Sequence, residues 1–170
     1  GDAILTPSAR DLVRANQGNG TASSGTESGL SAAVAEVSAG SVSASSSASD
    51  LEAFFNTSEM FELREQICEM GRRMWQRAYV DGNGGNIAIR VADDLALCTP
   101  TLVSKGFMKP EDMCLVDLEG DQKAGLKKRT SEILMHLQIM KTVPRAKATA
   151  HCHPPHATAY AVAGVEPPTC

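Results

Sequence analysis

The feature that most limits the fold of this chain is a change of composition near residue 51. Residues 1–50 contain no aromatic side chain, and 23 of the residues 21–50 are Ser, Ala, Gly or Thr. Such a segment buries too little apolar surface to offset the entropy lost on ordering. We therefore predict a flexible, disordered linker over residues 18–50 and one folded domain over residues 51–170. A poorly packed helix around Leu30 is the alternative for the linker.

A short amphipathic pattern precedes the linker. Leu12 and Val13 share one face of a helix that begins near Pro7. We predict a short helix within residues 1–17, and we hypothesise that residues 4–16 dock the protein to a larger assembly. The pattern resembles the peptides that attach enzymes to bacterial microcompartment shells. A disordered tail is the alternative interpretation.

The overall charge and hydropathy exclude two classes of partner. The formal net charge is −4 and the isoelectric point is near 5.5, which argues against a nucleic-acid binder. No stretch approaches the roughly 20 consecutive apolar residues that span a bilayer, so no membrane contact is predicted. The five cysteines are scattered and odd in number. This usage is typical of reduced thiols in a cytoplasmic protein.

The hydrophobic periodicity predicts an α/β fold. Asn56 and Glu59 have the spacing of a capping box, and a stripe of apolar residues follows them. Alternating apolar residues predict strands, and turn residues separate them. We predict a single three-layer-like domain with a largely antiparallel central sheet flanked by helices. The predicted buried stripe is Leu63, Ile67, Met70 and Met74; the later predicted helices are 131–142 and 156–163, and the predicted strands are 87–91, 95–98, 114–118 and 148–153.

Two histidines stand two residues apart near the end of the chain. If His151 and His153 lie on a strand, their side chains point to the same face. Two imidazoles in that position can share one zinc ion. An isolated pair of this kind is more often part of a polar surface.

Two other features suggest an anion site. Glu132 begins a predicted helix directly after Thr130 and Ser131, where hydroxyls and free backbone N–H groups can hold a phosphate. The glycine-rich turn over residues 81–86 exposes successive N–H groups. Taken alone, each feature also fits an ordinary helix cap or turn, and the basic run over residues 127–129 fits a solvated surface.

Five sequence blocks occur in an order that is far more specific than any single motif. They are GNGGNIAIR (82–90), CTPTLVSKGFMKPED (98–112), VDLEG (116–120), KRTSEILMH (128–136) and AHCHPPHATAYAVAG (150–164). This series resembles the class II, zinc-dependent aldolase and epimerase family, of the fuculose-phosphate aldolase type. The resemblance implies that Glu132 is the catalytic acid/base, that Glu132, His151 and His153 form the zinc site, and that the substrate phosphate is held by Gly85, Asn86, Thr101, Thr130 and Ser131.

The resemblance also has consequences beyond these residues. Leu102 stands where the family commonly has glycine, which places the phosphate contact at Thr101 in question. The third zinc histidine is expected beyond Cys170, as in a domain that lacks its C-terminal part. The family implies a homotetramer and a phosphorylated sugar as substrate. The implied reaction is cleavage of a ketose 1-phosphate, such as fuculose or rhamnulose phosphate, to dihydroxyacetone phosphate and an aldehyde.

Three other functions stay open at this point. A pentulose-phosphate 4-epimerase typically carries Asp where Glu132 stands, so Glu favours the aldolase. A methylthioribulose-phosphate dehydratase uses the same zinc scheme. A non-catalytic scaffold of the same fold has generally lost the zinc histidines, and the presence of His151 and His153 argues against that function.

Overall fold

The computed structural model describes residues 42–168, which form four helices and a five-stranded sheet. None of the helices in this range is long and apolar enough to cross a membrane. The helices are α1 (Ala48–Phe55), α2 (Ser58–Gln76), α3 (Ile133–Thr142) and α4 (Pro155–Ala163), and a short 3₁₀ helix spans Pro110–Asp112. The strands are β1 (Asn86–Arg90), β2 (Leu95–Cys98), β3 (Cys114–Asp117), β4 (Gln122–Ala124) and β5 (Ala148–His151).

The sheet is antiparallel throughout, with the strand order β4-β3-β2-β1-β5. After α3, the chain returns as β5 and pairs with β1 at the edge opposite β4. The register places Asn86 directly opposite His151. The beginning of β1 and the end of β5 therefore meet at one end of the sheet, where most of the predicted site residues lie.

The two faces of the sheet pack against different helices. Successive side chains on a strand point to opposite faces, so each strand contributes to both layers. One face packs against α1 and α2 through the large aliphatic residues Ile87, Ile89, Leu95, Leu97 and Leu115. The other face packs against α3 through Ala88, Ala96, Cys98, Cys114 and Val116, which contact Ile133, Leu137 and Met140. The prediction of a three-layer domain with a largely antiparallel sheet is confirmed.

The start of α2 differs from the predicted capping box. Thr57, not Asn56, is the N-cap residue, and its hydroxyl accepts the N–H of Met60. Asn56 instead ends α1, where its side-chain amide donates to the carbonyl of Glu52 at 2.8 Å. The preceding helix α1, which was not predicted, uses the residue that the capping pattern had assigned to α2.

The buried stripe of α2 also differs at one position. Leu63, Ile67 and Met74 are buried as predicted, but Met70 is 46% exposed. The neighbouring Gly71 occupies the contact instead, because a Cβ there would lie 2.4 Å from the carbonyl oxygen of Lys105. The periodicity of apolar side chains gives no signal at a glycine, although here Gly71 marks the close approach of two chain segments.

The end of the predicted linker is also corrected. Residues 42–50 pack against the domain, and α1 begins at Ala48 with Ser47 as its N-cap. The N–H of Ala44 donates to the Asp94 carboxylate at 3.0 Å. Serine-rich composition concealed this capping, because serine is common both in linkers and at helix starts. The rest of the linker and the predicted docking segment 4–16 lie outside the described residues, and both remain predictions.

Three smaller differences concern element boundaries. Strand β5 ends at His151, so His153 lies beyond the strand and not on it. Helix α3 begins at Ile133, which leaves Ser131 in the preceding turn. The short edge strand β4 was not predicted, since only Ala124 of its three residues is buried and no apolar alternation marks it.

Candidate active site

The glycine-rich turn brings β1 against the end of β5. Gly85 has a φ of 71°, in the left-handed region, and a Cβ there would lie 2.7 Å from the carbonyl oxygen of His151. Glycine is therefore needed both for conformation and for space. Lys105, only 1% exposed, donates its Nζ to the carbonyls of Asn83 at 3.2 Å and Val103 at 2.6 Å. The turn is thus held on both sides.

Glu132 is placed by the turn that starts α3. Its backbone N–H donates to the Thr130 hydroxyl at 3.4 Å, and its own side chain makes no capping hydrogen bond. The carboxylate is consequently free to turn toward the sheet. Its Oε2 accepts hydrogen bonds from Asn86 Nδ2 at 2.5 Å and from His151 Nδ1 at 2.9 Å.

The surroundings of Glu132 favour its charged form. The hydrogen bonds from Asn86 and, to a smaller extent, from His151 lower the pKa of the Glu132 carboxyl below its usual value. The side chain is 46% exposed, so one part of the carboxylate faces solvent while Oε2 is engaged with protein donors. A charged, half-exposed carboxylate of this kind can accept a proton from a bound molecule.

His151 and His153 converge although only one of them is on the strand. Their ring centroids are 4.8 Å apart, with an interplanar angle of 63°. The backbone N–H of His153 donates to the carbonyl of Tyr79 at 2.6 Å, which fixes the chain just past β5. Because a carboxylate only accepts hydrogen bonds, Nδ1 of His151 carries a hydrogen, and in the tautomer with this single hydrogen the Nε2 lone pair is available.

The chemistry of these histidines can be compared with that of a metal site. A histidine whose Nδ1–H donates to a carboxylate and whose Nε2 is free has the arrangement found in zinc sites. Within residues 42–168, no group of three or more His, Cys, Asp or Glu side chains is arranged to hold a metal ion. Glu132, which the resemblance also assigned to the metal site, accepts hydrogen bonds from Asn86 and His151. The two imidazoles therefore fit as two ligands of a site that needs a further one.

Behind Glu132 lies a row of buried polar groups that sequence reasoning did not identify. Asn86 is 5% exposed, and its Oδ1 lies 2.5 Å from Nε2 of His136. His136 is completely buried, and its Nδ1 lies 2.7 Å from the hydroxyl of Thr149. Burial lowers the pKa of His136 to about 4, so this ring is neutral at pH 7. We call Thr149, His136, Asn86 and Glu132 the polar row.

The sequence contained weak signals for this row. Glu132 and His136 are four residues apart, which places them on the same side of a helix. Thr149 and His151 are two apart and share a face of β5, as Asn86 and Ala88 do on β1. A threonine or histidine at such a spacing is common in any fold. Only the register of β1 with β5 shows that Thr149 and His136 belong to the polar row.

The residues predicted to hold phosphate lie at the same end of the sheet. The hydroxyl of Thr99 accepts the N–H of Ile87 at 3.2 Å, and the Thr99 carbonyl accepts the N–H of Thr130 at 3.0 Å. The N–H of Thr101 donates to Lys128 at 2.9 Å. These bonds join the β1 start, the end of β2 and the start of α3 into one surface. They thereby gather the five predicted phosphate residues, Gly85, Asn86, Thr101, Thr130 and Ser131.

Those five residues differ in how much of their polar surface is free. Thr130 is 3% exposed and its hydroxyl already accepts a hydrogen bond, and both ends of the Asn86 amide are engaged. Ser131 is exposed and Thr101 is half-buried. Their hydroxyls are the groups best placed to meet an anion from solvent, whereas Gly85 is buried.

The residue after Thr101 keeps a backbone conformation that suits glycine. Leu102 has a φ of 57°, in the left-handed region, and its side chain is 76% exposed. The conformation costs an L-residue about 1–2 kcal/mol relative to the usual right-handed one. The turn therefore keeps the shape that a glycine would favour, and the leucine side chain points into solvent.

Comparison with known proteins identifies the family of this chain. The family described as "Class II Aldolase and Adducin N-terminal domain" matches residues 65–169. An L-fuculose phosphate aldolase from Methanococcus vannielii is 39% identical over 97 residues, which are 57% of this chain and 50% of that protein. A 3-oxo-tetronate 4-phosphate decarboxylase from Haemophilus influenzae is 34% identical over 96 residues, 56% of this chain and 45% of that protein.

The solved structures agree with the sequence relatives. The structure of an L-fuculose 1-phosphate aldolase is similar with a TM-score of 0.54 and 25% identity, over 59% of this chain and 48% of that chain. The chain spans about half the length of the curated relatives it matches. The matched region contains β1, the polar row and both converging histidines.

Proposed function

Because this chain belongs to the class II aldolase and adducin N-terminal domain family, we propose that it carries the acid/base part of a sugar-phosphate lyase. The single observation that supports the proposal most is the Glu132 carboxylate, which Asn86 and His151 hold at the edge of the converging histidine pair. The proposed reaction breaks a C–C bond next to a carbonyl group. The finer proposal is aldol cleavage of a fuculose- or rhamnulose-like ketose 1-phosphate.

A zinc ion is the proposed cofactor. His151 and His153 would hold it, together with a further ligand that residues 42–168 do not supply. When bound, zinc supplies Lewis acidity at the substrate carbonyl oxygen, which stabilises the negative charge that develops when the C–C bond breaks. The hydrogen bond from His151 to Glu132 orients the imidazole for this role.

Glu132 is proposed to move the proton. Oε2 accepts both hydrogen bonds from the protein, and no hydrogen bond to Oε1 is found within residues 42–168. We assign proton transfer to Oε1, which can reach a bound substrate while Oε2 stays fixed. In cleavage, the hydroxyl that becomes the aldehyde oxygen gives up its proton as the C–C bond breaks, and Glu132 delivers one proton to the carbon of the enediolate; in synthesis, the Glu132 carboxylate removes the proton from that carbon and a proton returns to the hydroxyl.

The substrate phosphate is proposed to lie where the glycine turn meets the start of α3. Ser131 and Thr101 offer hydroxyl donors that reach solvent, Gly85 would contribute its backbone from a buried position, and the positive end of the α3 dipole favours an anion there. Asn86 and Thr130 would shape this surface from beneath. Since the phosphate is remote from the broken bond, its binding positions the reacting carbons.

The two kinds of curated relative share this chemistry. Aldol cleavage and decarboxylation both leave an electron pair next to a carbonyl, so both need the same charge stabilisation and the same proton donor. The presence of Glu at position 132 continues to favour the aldolase over the 4-epimerase, and the dehydratase stays an alternative. A homotetramer is proposed on the resemblance alone.

The proposal is tested with the whole protein and two substrates. Purified zinc-loaded enzyme should convert L-fuculose 1-phosphate to dihydroxyacetone phosphate, detected with a coupled dehydrogenase, and Glu132→Gln should lower turnover by about 100-fold or more. Release of carbon dioxide from 3-oxo-tetronate 4-phosphate, with no aldol cleavage, would replace the finer proposal by a decarboxylase. Near-normal turnover by Glu132→Gln would contradict the lyase mechanism itself.

A further inference from the structure

His136 is a completely buried polar side chain that the proposed reaction does not use directly. It lies one helical turn after Glu132 on α3, and its ring stands between Thr149 and Asn86. Neither of these neighbours is charged, so the ring makes no ion pair here. A buried histidine with two neutral partners needs an explanation, because burying polar groups is unfavourable unless each is matched.

The direction of every hydrogen bond in the polar row follows from its last member. The Glu132 carboxylate can only accept, so the Asn86 amide must present Nδ2 to it. Oδ1 of Asn86 then faces His136, and Nε2 of the ring must carry the hydrogen to donate to it. Nδ1 is left as an acceptor for the Thr149 hydroxyl. One tautomer of His136 therefore satisfies all four groups at once.

The row has a consequence for the carboxylate. If the Asn86 amide rotated by 180°, its oxygen would face the oxygen of Glu132, and the two would repel each other. The donor on His136 adds to this preference, because after the rotation it would face the Asn86 Nδ2 group and lose its acceptor. Burial keeps His136 neutral, so the donor stays on Nε2 at physiological pH.

We propose that His136 is a positioning residue that, through Asn86, fixes the Glu132 carboxylate for proton transfer at the substrate carbon. This inference rests on the proposed function of Glu132. Thr149 completes the arrangement, because its hydroxyl donates to Nδ1 and thereby keeps the hydrogen on Nε2. His136 itself contacts neither substrate nor metal.

The kinetic test compares substitutions that keep or remove the donor. His136→Met fills a similar volume without a donor, and should lower kcat by about 10–100-fold with KM changed less than about twofold, as for other outer partners of active-site groups. His136→Gln retains an N–H near the place of Nε2–H and should recover most of that loss. Equal losses in the Met and Gln variants would overturn the proposal.

A double substitution separates this inference from the function on which it rests. If His136 acts through Glu132, His136→Met should cause little further loss in a Glu132→Gln background. Independent losses that multiply would show that His136 acts by another route, and overturn the proposal. An inactive His136→Met beside a fully active Glu132→Gln would contradict both assignments, whereas an inactive Glu132→Gln beside a fully active His136→Met would contradict only the positioning role.

A readout without activity tests the row itself. Nitrogen NMR of the 170-residue protein should show His136 as the neutral Nε2–H tautomer at pH 7. Thr149→Val should disturb the His136 ring nitrogens and the Asn86 side-chain amide signals, while Thr142→Val, which removes an exposed hydroxyl on α3, should leave both unchanged. An Nδ1–H tautomer of His136, or Asn86 side-chain amide signals that are unchanged by Thr149→Val, would overturn the proposal.

Discussion

The two faces of the sheet differ in the size and polarity of the side chains that they bury. The face under α1 and α2 is filled by branched aliphatic residues such as Ile87 and Leu97. The face under α3 is lined by alanine and cysteine, and it contains the polar row. Small side chains allow α3 to approach the sheet, which brings His136 and Glu132 within hydrogen-bonding distance of β1 and β5.

The two faces contribute differently to the stability and to the chemistry of the protein. Large aliphatic side chains bury the most apolar surface, so the α1/α2 face contributes more of the hydrophobic free energy of folding. The α3 face buries less apolar surface and must match each polar group that it encloses. We therefore expect substitutions on the first face to change stability and substitutions on the second to change function, and the following four predictions test that division.

The largest expected effect on stability is on the apolar face. Leu97→Ala removes a fully buried side chain and should lower the free energy of unfolding by about 2–5 kcal/mol. Cys98→Ala, the next residue on the α3 face, should cost less because fewer atoms are removed. Urea titration measures both losses of unfolding free energy. A larger loss in Cys98→Ala would contradict the greater contribution of the α1/α2 face to stability.

The largest expected effect on ligand binding concerns the converging histidines. His153→Ala removes one of two converging imidazoles and should weaken zinc binding by at least about 100-fold, since even the loss of outer partners costs 10–100-fold. The exposed His156 provides a matched control, because His156→Ala should retain zinc. Competition of the whole protein with a chelator measures the affinity; equal retention of zinc by both variants would argue against the site.

The polar row should make stability depend on pH. The pKa of His136 is about 4 in the folded protein and near 6.5 when unfolded, so the unfolded state takes up the proton first as pH falls. Stability should be complete above pH 6.5 and should decline between pH 6.5 and 4, by at most about 3 kcal/mol. Urea titrations at several pH values should show this decline in the wild type and a shallower one in His136→Gln. An equal decline in both proteins would show that other groups cause it.

The smallest expected effect concerns the turn beside the proposed phosphate surface. Leu102→Gly relieves the left-handed strain but increases the freedom of the unfolded chain, so a net gain of about 0.5–1 kcal/mol is expected. Val103→Gly in the same loop offers no such relief and should destabilise. Thermal unfolding measures both changes, and a loss of stability in Leu102→Gly would show that the leucine contributes packing that its exposure does not suggest.

The success of sequence reasoning follows the same division between faces. Strands β1, β2 and β3 and helix α3 were predicted closely because large apolar residues alternate or recur there. The resemblance of five ordered blocks, and not periodicity, singled out Glu132 and the two histidines. His136 and Thr149 were missed because their importance comes from register, through the pairing of β1 with β5, and register is not visible in local pattern.

The remaining errors have local physical reasons. Helix α1 was concealed by the serine-rich composition around Ser47, and Gly71 replaced Met70 in the core because two chain segments approach closely there. Lys105 was assigned no role from the sequence, and in the fold it is buried and its Nζ is matched by two carbonyl groups. In each case a tertiary contact outweighed the local preference.

Proton exchange on dihydroxyacetone phosphate tests the role of Glu132 most directly, because it requires neither the aldehyde nor C–C bond formation. Zinc-loaded whole protein is incubated with dihydroxyacetone phosphate in deuterium oxide, and proton NMR follows the hydroxymethyl carbon. The account predicts replacement of one of the two protons by the wild type, and exchange slower by about 100-fold or more in Glu132→Gln. Exchange by Glu132→Gln at the wild-type rate would contradict the assignment of Glu132 as the acid/base.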